Sequence, residues 1–292
     1  VNTLTNGFLY IVATPIGNLE DMTLRAIATL KNDVTVIATE DTRHSKHLLQ
    51  HYHITTKMIS LHEHNEERRS ELLLDYLKQG KNVALITDAG TPLISDPGYR
   101  LVQLVRAQHI RVIPLPGPCA AITALCASGL PTNRFVFEGF LPVKIAALKT
   151  RLTELTDEVR TIIVYEAPHR LLRLLETMTS IFGKQHHVVL AKELTKTFET
   201  IYGASLEEVI NWLKTEPLRQ KGEFVLLIAG KTALRQEELA LSPTTLASAK
   251  HILNILLTAL PPKQAVKFTA KITGLNKREL YKMTIANNQQ LQ

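Results

Sequence analysis

Between residues 7 and 115, short apolar runs rich in β-branched residues alternate with longer segments of helical period, and this alternation constrains the fold more than any other feature. It predicts an α/β unit with a mostly parallel sheet, since each parallel neighbour needs a crossover that a helix can supply. Candidate strands are residues 9–13, 34–38, 83–87 and 112–115. Residues 66–78 read as an intervening helix, with Asn65 placed to cap it and Gly80 to end it. Beyond Pro131 a second α/β unit is expected: residues 135–137, 161–165, 188–191, 199–202 and 224–229 read as strands, and 171–178 and 206–213 as helices. Residues 132–141, between two helical regions, are a plausible boundary, and the break between the units is placed near residue 125. After Gly230 no strand-like run remains, and residues 244–257, 263–272 and 277–285 read as short helices punctuated by Pro261, Pro262 and Gly274. The last two, joined by a short turn, have the lengths of a helix-turn-helix. The expected division is therefore 1–125, 126–235 and 236–292: two α/β domains followed by a small all-α, helix-turn-helix-like module.

A chain of 292 residues can bury several such cores. Its longest apolar runs, residues 8–13 and 224–229, have strand length and fall far below the roughly 18 residues of a membrane span. No membrane partner is expected. The first residues lack the basic, apolar and small-residue succession of a secretion signal. Cys119 and Cys126, seven apart in an apolar helical pattern, form neither a disulfide framework nor a zinc-ligand set, which suits a reducing cytoplasm. The net charge of +7 is concentrated at one end: residues 231–292 hold nine Lys and Arg against three Glu. Such asymmetry points to a module that binds anions, nucleic acid above all, with a merely solvated basic tail as the alternative.

Three of the candidate strands run into loops rich in Gly, Pro and small polar residues: Thr14-Pro15-Ile16-Gly17-Asn18, residues 88–98 (DAGTPLISDPG) and Pro116-Gly117-Pro118. Loops at the carboxyl ends of parallel strands are where α/β proteins place ligands. Glycine lets the backbone approach a ligand and proline stiffens that approach. GxxxxGK[ST] is absent, and no two of the 13 glycines lie only two residues apart, so GxGxxG is absent too. The expected ligand is one not held by its phosphates.

The segments LYIVATPIGNLEDMTLRA (9–26), ATEDTRHS (38–45), LITDAGTPLISDPG (85–98), PLPGPCAAITAL (114–125) and YEAPHR (165–170) closely resemble, in this order, the ribosomal RNA small subunit methyltransferase I family. That family is a branch of the tetrapyrrole-methylase-like, class III methyltransferases, and the resemblance runs nearly the whole length of the chain. It implies a two-domain α/β enzyme, usually a homodimer, with S-adenosylmethionine in the cleft between the domains. It implies 2′-O-methylation of a cytidine in the decoding region of bacterial 16S rRNA, so the small ribosomal subunit is the expected partner. The implied cofactor contacts are Pro15; Asp88, Ala89, Gly90, Thr91 and Pro92; Ile94, Ser95 and Asp96; Pro116, Ala120 and Ala121; Phe140 and Leu141; and Tyr165, Glu166, Ala167 and Pro168. Asp88–Pro92 stands where tetrapyrrole methylases carry a glycine-rich GGDP segment, and only backbone contacts survive that departure. For Asp96, before Pro97, a helix N-cap is the alternative role.

Methyl transfer from a sulfonium is an in-line displacement, so the protein must align the nucleophile and help remove its proton. Two polar clusters at strand ends offer candidates. Glu40 and Asp41 stand beside Arg43 and His44, and Lys192 and Glu193 close another candidate strand. Glu40 or Asp41 and Lys192 or Glu193 are expected to face the target ribose. Arg43, His44, Lys46, His169 and Arg170, with Lys263, Lys267, Lys271, Lys277 and Arg278 of the basic module, are expected to grip RNA. Surface ion pairing is the plain alternative for each. His44, His47 and His51 share a helical face, and His62 and His64 flank Glu63, but neither set has the ligand pattern of a metal site, and none is expected. Two rivals remain: a methyltransferase for a small substrate such as a tetrapyrrole, against which the basic module argues, and a non-catalytic RNA-binding protein.

Overall fold

The computed structural model describes residues 6–231, 243–273, 275–277, 280, 281 and 284. The first sheet has strand order β3-β2-β4-β1-β5 and is parallel throughout. Its strands are β1 (Leu9–Val12), β2 (Val36–Thr39), β3 (Lys57–Ser60), β4 (Val83–Leu85) and β5 (Val112–Leu115). Between them run α1 (Leu24–Ala28), α2 (Thr42–His51), α3 (Glu66–Lys78) and α4 (Tyr99–Ala107). Successive strand residues point to opposite faces, and both faces are covered, which is why these strands read as unbroken apolar runs. Leu9, Ile11, Val83 and Leu85 pack on Leu73 and Leu77 of α3 and Leu101 and Val105 of α4. Val12, Ile37 and Ala84 pack on Ala26, Leu30 and Leu49 behind them.

The second sheet has order β6-β7-β10-β8-β9, with β6 and β7 parallel and the remaining pairs antiparallel. It is built from β6 (Phe135–Phe140), β7 (Thr161–Glu166), β8 (His187–Lys192), β9 (Thr200–Ser205) and β10 (Phe224–Ile228), with α6 (Ile145–Leu155), α7 (Pro168–Phe182) and α8 (Leu206–Thr215). Those helices cover one face through Leu148, Leu152, Leu174, Met178, Val209 and Leu213. α8 begins on a capping box: Ser205 accepts from Glu208 N–H while the Glu208 carboxylate takes the Ser205 N–H at 3.0 Å.

The other face is covered by α5 (Ala120–Ala127), whose Ala121, Ala124 and Leu125 pack on Ile163, Val189 and Leu227. The break expected at residue 125 therefore falls inside a helix: the chain leaves the first sheet after β5, and α5 already serves the second. The expectation that Asn65 caps α3 also needs correction. Asn65 holds the N-cap position, but its Oδ1 takes the His62 N–H at 2.9 Å. Glu66 instead reaches across to α4, accepting from Gly98 and Arg100 N–H, both at 3.0 Å, and so satisfies donors that Gly98 cannot cap itself. Among the elements for which no range was anticipated are α6 and the edge strand β3, in which only Ile59 is buried.

In the C-terminal part, α9 (Pro243–Ala259) and α10 (Pro262–Thr273) enclose a small core of Ala249, Leu253, Ala265, Val266, Leu275 and Leu280. Of the third expected helix, most residues lie outside those described, Arg278 among them.

Candidate functional site

The three Gly/Pro loops are stitched to one another. Thr14, fully buried, exchanges two backbone hydrogen bonds with Gly90, and its hydroxyl donates to the Thr87 carbonyl at 3.0 Å. Thr91 Oγ1 donates to the Pro118 carbonyl at 2.8 Å, tying the second loop to the third. Gly117 lies so near β1 that a Cβ there would come 2.8 Å from the Ala13 Cβ. The second loop is unusually bent: Leu93, Ser95 and Gly98 have φ of 73°, 69° and 122°. A non-glycine residue in that region is uncommon and is held there only by its surroundings.

These loops form one wall of a cavity of about 320 Å³, and the ends of β6, β7, β8 and β10 form the other. Of the residues expected to hold a cofactor, Ala89, Gly90, Thr91, Ile94, Ser95, Asp96, Ala120, Phe140, Tyr165, Glu166, Ala167 and Pro168 line it. Pro15, Asp88, Pro92, Pro116, Ala121 and Leu141 do not line it. Leu141 belongs to the core beneath α6 and α7, and Asp88 Oδ1 accepts from Asp41 N–H at 3.3 Å. Ala121 offers its N–H to the Tyr165 hydroxyl at 3.1 Å, fixing that ring between Phe137 and Phe140, with centroids at 5.0 and 5.8 Å. Ile16 and Cys119, in the first loop and in the turn after β5 that were both expected to meet a ligand, line the cavity too, as do Ala191, Leu194, Glu223, Phe224 and Val225, which were not singled out from the sequence. Most of them are apolar and look like any other core residue; only their place at a strand end marks them.

Asp96 is no helix cap; Gly98 occupies that position. Burial pushes its carboxyl up to about 6, and the nearby Glu40 and Asp88 carboxylates add to this. Glu40, at the end of β2, is raised by burial and then by Asp88 and Glu63. Tyr165 is pushed up to about 12 by burial.

The four residues expected at the target ribose divide. Asp41 is the N-cap of α2, accepting from Arg43 N–H at 2.8 Å, and its pair with the Arg43 guanidinium at 2.9 Å holds it down at about 2. Such a carboxylate is a poor proton acceptor. Glu193 is tied to Lys196 at 2.9 Å and to Glu223 N–H at 2.9 Å, and it packs on Gly222. Glu40 and Lys192 are half-buried. None of the four lines the cavity, although Ala191 and Leu194, flanking Lys192 and Glu193, do.

Arg170 corrects another expectation. It is turned inward, its side chain only 13% exposed, paired with Glu166 at 3.2 Å and donating to the Leu141 and Pro142 carbonyls at 2.8 and 3.4 Å. Buried and ion-paired in this way, the guanidinium is not presented to a phosphate at the surface. His44, Lys46 and His169 are exposed, as is Arg43 beside its Asp41 partner. On α10, Lys263, Lys267 and Lys271 stand four residues apart on the exposed face, opposite buried Ala265, Val266 and Thr269, and Lys277 is exposed beyond it. Among the described residues no group of three His, Cys, Asp or Glu is placed to hold a metal, and no helix is long and apolar enough to cross a membrane.

A family profile described as Tetrapyrrole (Corrin/Porphyrin) Methylases matches residues 8–210, and one described as RsmI C-terminal HTH domain matches residues 244–288. The chain is 50% identical over 281 residues to the Ribosomal RNA small subunit methyltransferase I of Escherichia coli O157:H7, covering 96% of each. It is 49% identical to the protein of that name from Haemophilus influenzae, covering 96% of this chain and 97% of the relative. The chain belongs to the ribosomal RNA small subunit methyltransferase I family. Solved structures share the family's fold at low identity. The uroporphyrin-III-C-methyltransferase from Thermus thermophilus superposes with a TM-score of 0.54 at 20% identity, over 80% of this chain and 98% of that one. Diphthine synthase superposes with a TM-score of 0.57 at 12% identity, over 77% of this chain and 90% of that one. The two-sheet frame expected from the sequence is thus the frame of this family, and the basic tail corresponds to its helix-turn-helix domain.

Proposed function

We propose that this protein transfers a methyl group from S-adenosylmethionine to the ribose 2′-hydroxyl of a cytidine in the decoding region of 16S rRNA. The observation that carries the reading is the cleft itself, in a chain of this family. Its first wall is backbone-rich loop, its second is apolar and aromatic, and no glycine-rich phosphate cradle is present in the sequence. That suits a cofactor with an adenine, a ribose and an amino-acid tail but no phosphate. At Gly90 a Cβ would press on Ile16 Cγ2 at 3.3 Å, so the loop's conformation is one that glycine keeps open. The cofactor would supply an activated methyl group on a sulfonium, and its holders would be Gly90–Thr91, Ile94–Asp96, Cys119–Ala120, Phe140 and Tyr165–Pro168.

The protein's own task is to place a ribose hydroxyl and take its proton. Glu40 suits the second role, because burial and its acidic neighbours raise its basicity, whereas Asp41 and Glu193 are engaged in holding loops. Lys192, at the end of β8, suits an RNA phosphate or the developing alkoxide. The face of α10 that carries Lys263, Lys267 and Lys271 suits the phosphate backbone of rRNA. The relatives' name and the basic module favour RNA over a small tetrapyrrole substrate. A second copy of the chain completing a homodimer belongs to the same reading.

The deciding experiment incubates the protein and methyl-labelled cofactor with small ribosomal subunits and with naked 16S rRNA, then maps the methyl group by mass. A label on a cytidine ribose is expected. Binding of the cofactor without any label in RNA would overturn the substrate, and absence of binding would overturn the enzyme.

A further inference from the structure

The loop between β8 and β9, residues 193–199, holds an aromatic ring out to solvent beside the cleft, and its proposed role rests on the RNA reading above. Phe198 is 75% exposed. Single exposed apolar side chains are common on proteins, so exposure alone assigns nothing. The loop that carries this one is tightly held although it contains no glycine. Glu193 and Thr195 have φ of 52° and 66°, a backbone region that is costly for any side chain and most of all for a β-branched one. Hydrogen bonds keep them there: Thr195 N–H donates to Glu199 Oε2 at 2.6 Å, Lys196 N–H to the Glu193 carbonyl at 3.1 Å and Glu199 N–H to the Lys196 carbonyl at 3.0 Å.

The inner side of the loop belongs to the cleft. Leu194 is buried in the cluster that holds Ile16, Ala191 and Val225, and it lines the cavity. Lys196 Nζ reaches Glu193 at 2.9 Å and Glu223, another residue of the cavity wall, at 3.0 Å. A Cβ on Gly17 would come 2.6 Å from Lys196 Cγ, so the loop also lies against the first Gly/Pro loop. It thus ties the second sheet to the loops of the first at the edge of the cavity, and it leaves Phe198 outside. Thr197 and Glu199, on either side of Phe198 in the chain, are exposed and polar. The ring is therefore flanked by polar groups, which matches one flat base better than the broad apolar core of a protein interface.

A nucleotide that enters an enclosed site leaves its stack, and the base beside it then lacks a stacking partner. Unpaired RNA bases find such partners in Phe, Tyr and Trp rings, because every base has a face to offer. A ring on a loop already fixed by its own hydrogen bonds loses little freedom on binding. We propose that Phe198 is an RNA-contacting residue: its ring stacks on the base next to the target cytidine and so positions the strand as the target enters the cleft. The contact is separate from the cations expected to meet phosphate, because a ring face adds affinity without neutralising charge.

Binding of the full chain to small ribosomal subunits, with S-adenosylhomocysteine present so that no turnover occurs, tests this with two variants. Phe198→Leu keeps apolar bulk and removes the ring face; Phe198→Tyr keeps the face. The Leu variant is expected to bind roughly 5- to 150-fold more weakly, the range of one base stacked on an aromatic ring. Its slope of log affinity against log salt should match the parent's, since no phosphate contact is lost. The Tyr variant should bind within about threefold of the parent. Both should keep the parent's Tm and, by calorimetry, its affinity for S-adenosylhomocysteine. A Leu variant that binds subunits within about twofold of the parent overturns the proposal, and so does a Tyr variant as weak as the Leu variant. A Leu variant that loses Tm along with RNA affinity would make the ring a support of the loop, and one that sediments as a smaller species than the parent would place the ring against a second copy of the chain; either result overturns the RNA contact. Failure of the unaltered chain to bind small subunits would instead overturn the substrate reading, and the proposal with it.

Discussion

Thr14 and Gly90 pair as a two-residue antiparallel bridge between the loops that follow β1 and β4, Thr14 N–H donating to the Gly90 carbonyl at 2.8 Å and Gly90 N–H to the Thr14 carbonyl at 3.0 Å. The bridge fixes the level at which loop backbone meets the cavity. Gly90 can take part because its φ of +86° costs glycine nothing. Gly90→Ala is expected to cost about 1–2 kcal/mol for the left-handed backbone alone, and to weaken cofactor binding as the bridge shifts. Thermal denaturation and calorimetry check both effects, and a variant matching the parent in each would contradict this role.

Arg170 and Lys267 are expected to fail in opposite ways. Arg170→Met removes one partner of a buried pair and should cost about 3–5 kcal/mol of stability, without altering the salt dependence of RNA binding. Lys267→Gln should leave stability nearly untouched and lower the slope of log affinity against log salt by about 1. Filter binding across a salt series, beside a denaturant titration, separates the two. An Arg170 variant of full stability with a reduced slope would return this residue to the RNA surface.

Asp96 supplies a pH signature. Its carboxyl titrates at about 6 in the folded chain, above the 3.8 of an ordinary aspartate, so the folded state holds the proton more tightly than the unfolded one. The stability this contributes is fully present below the unfolded value and is lost as pH climbs through about 6. Asp96→Asn, which cannot ionise, should therefore gain in Tm relative to the parent on going from pH 4 to pH 8. A Tm difference that stays constant over that range would show that the group is not so perturbed.

Glu40 and Asp41, adjacent in sequence, should behave differently. Asp41→Ala removes the cap of α2 and should lower Tm measurably, while leaving methyl transfer largely intact. Glu40→Gln should lower kcat about 100-fold, at the small end of the effect of losing a general base, with cofactor affinity preserved. Single-turnover assays decide, and full activity of Glu40→Gln would send the search for the base elsewhere.

The architecture was legible wherever both faces of a strand are covered, because β1 and β10 then read as unbroken apolar runs. Strand β3 was not, since at the sheet edge its KMIS sequence buries only Ile59 and carries no pattern to detect. The boundary was misplaced for a related reason: α5, AAITALCA, is apolar almost all round, and nothing in its sequence says which sheet it covers. In the cleft, the loops announced themselves because Gly and Pro mark backbone exposed to a ligand. Leu194, Ala191 and Val225 could not, because an apolar ligand wall and an apolar core are made of the same residues. The inward turn of Arg170 did leave a trace, the Glu166–Arg170 spacing of four residues across the first turn of α7, which suits an ion pair as well as a surface fork.

Among the described residues the chain passes from the first sheet to the second once, through Pro116-Gly117-Pro118 and into α5. Cys119 and Ala120, at the far end of that passage, belong to the cavity wall. Any swing of one half of the protein against the other would therefore turn beside the cavity rather than at a remote hinge, and the two prolines of the passage, each with its φ fixed by the ring, stiffen it.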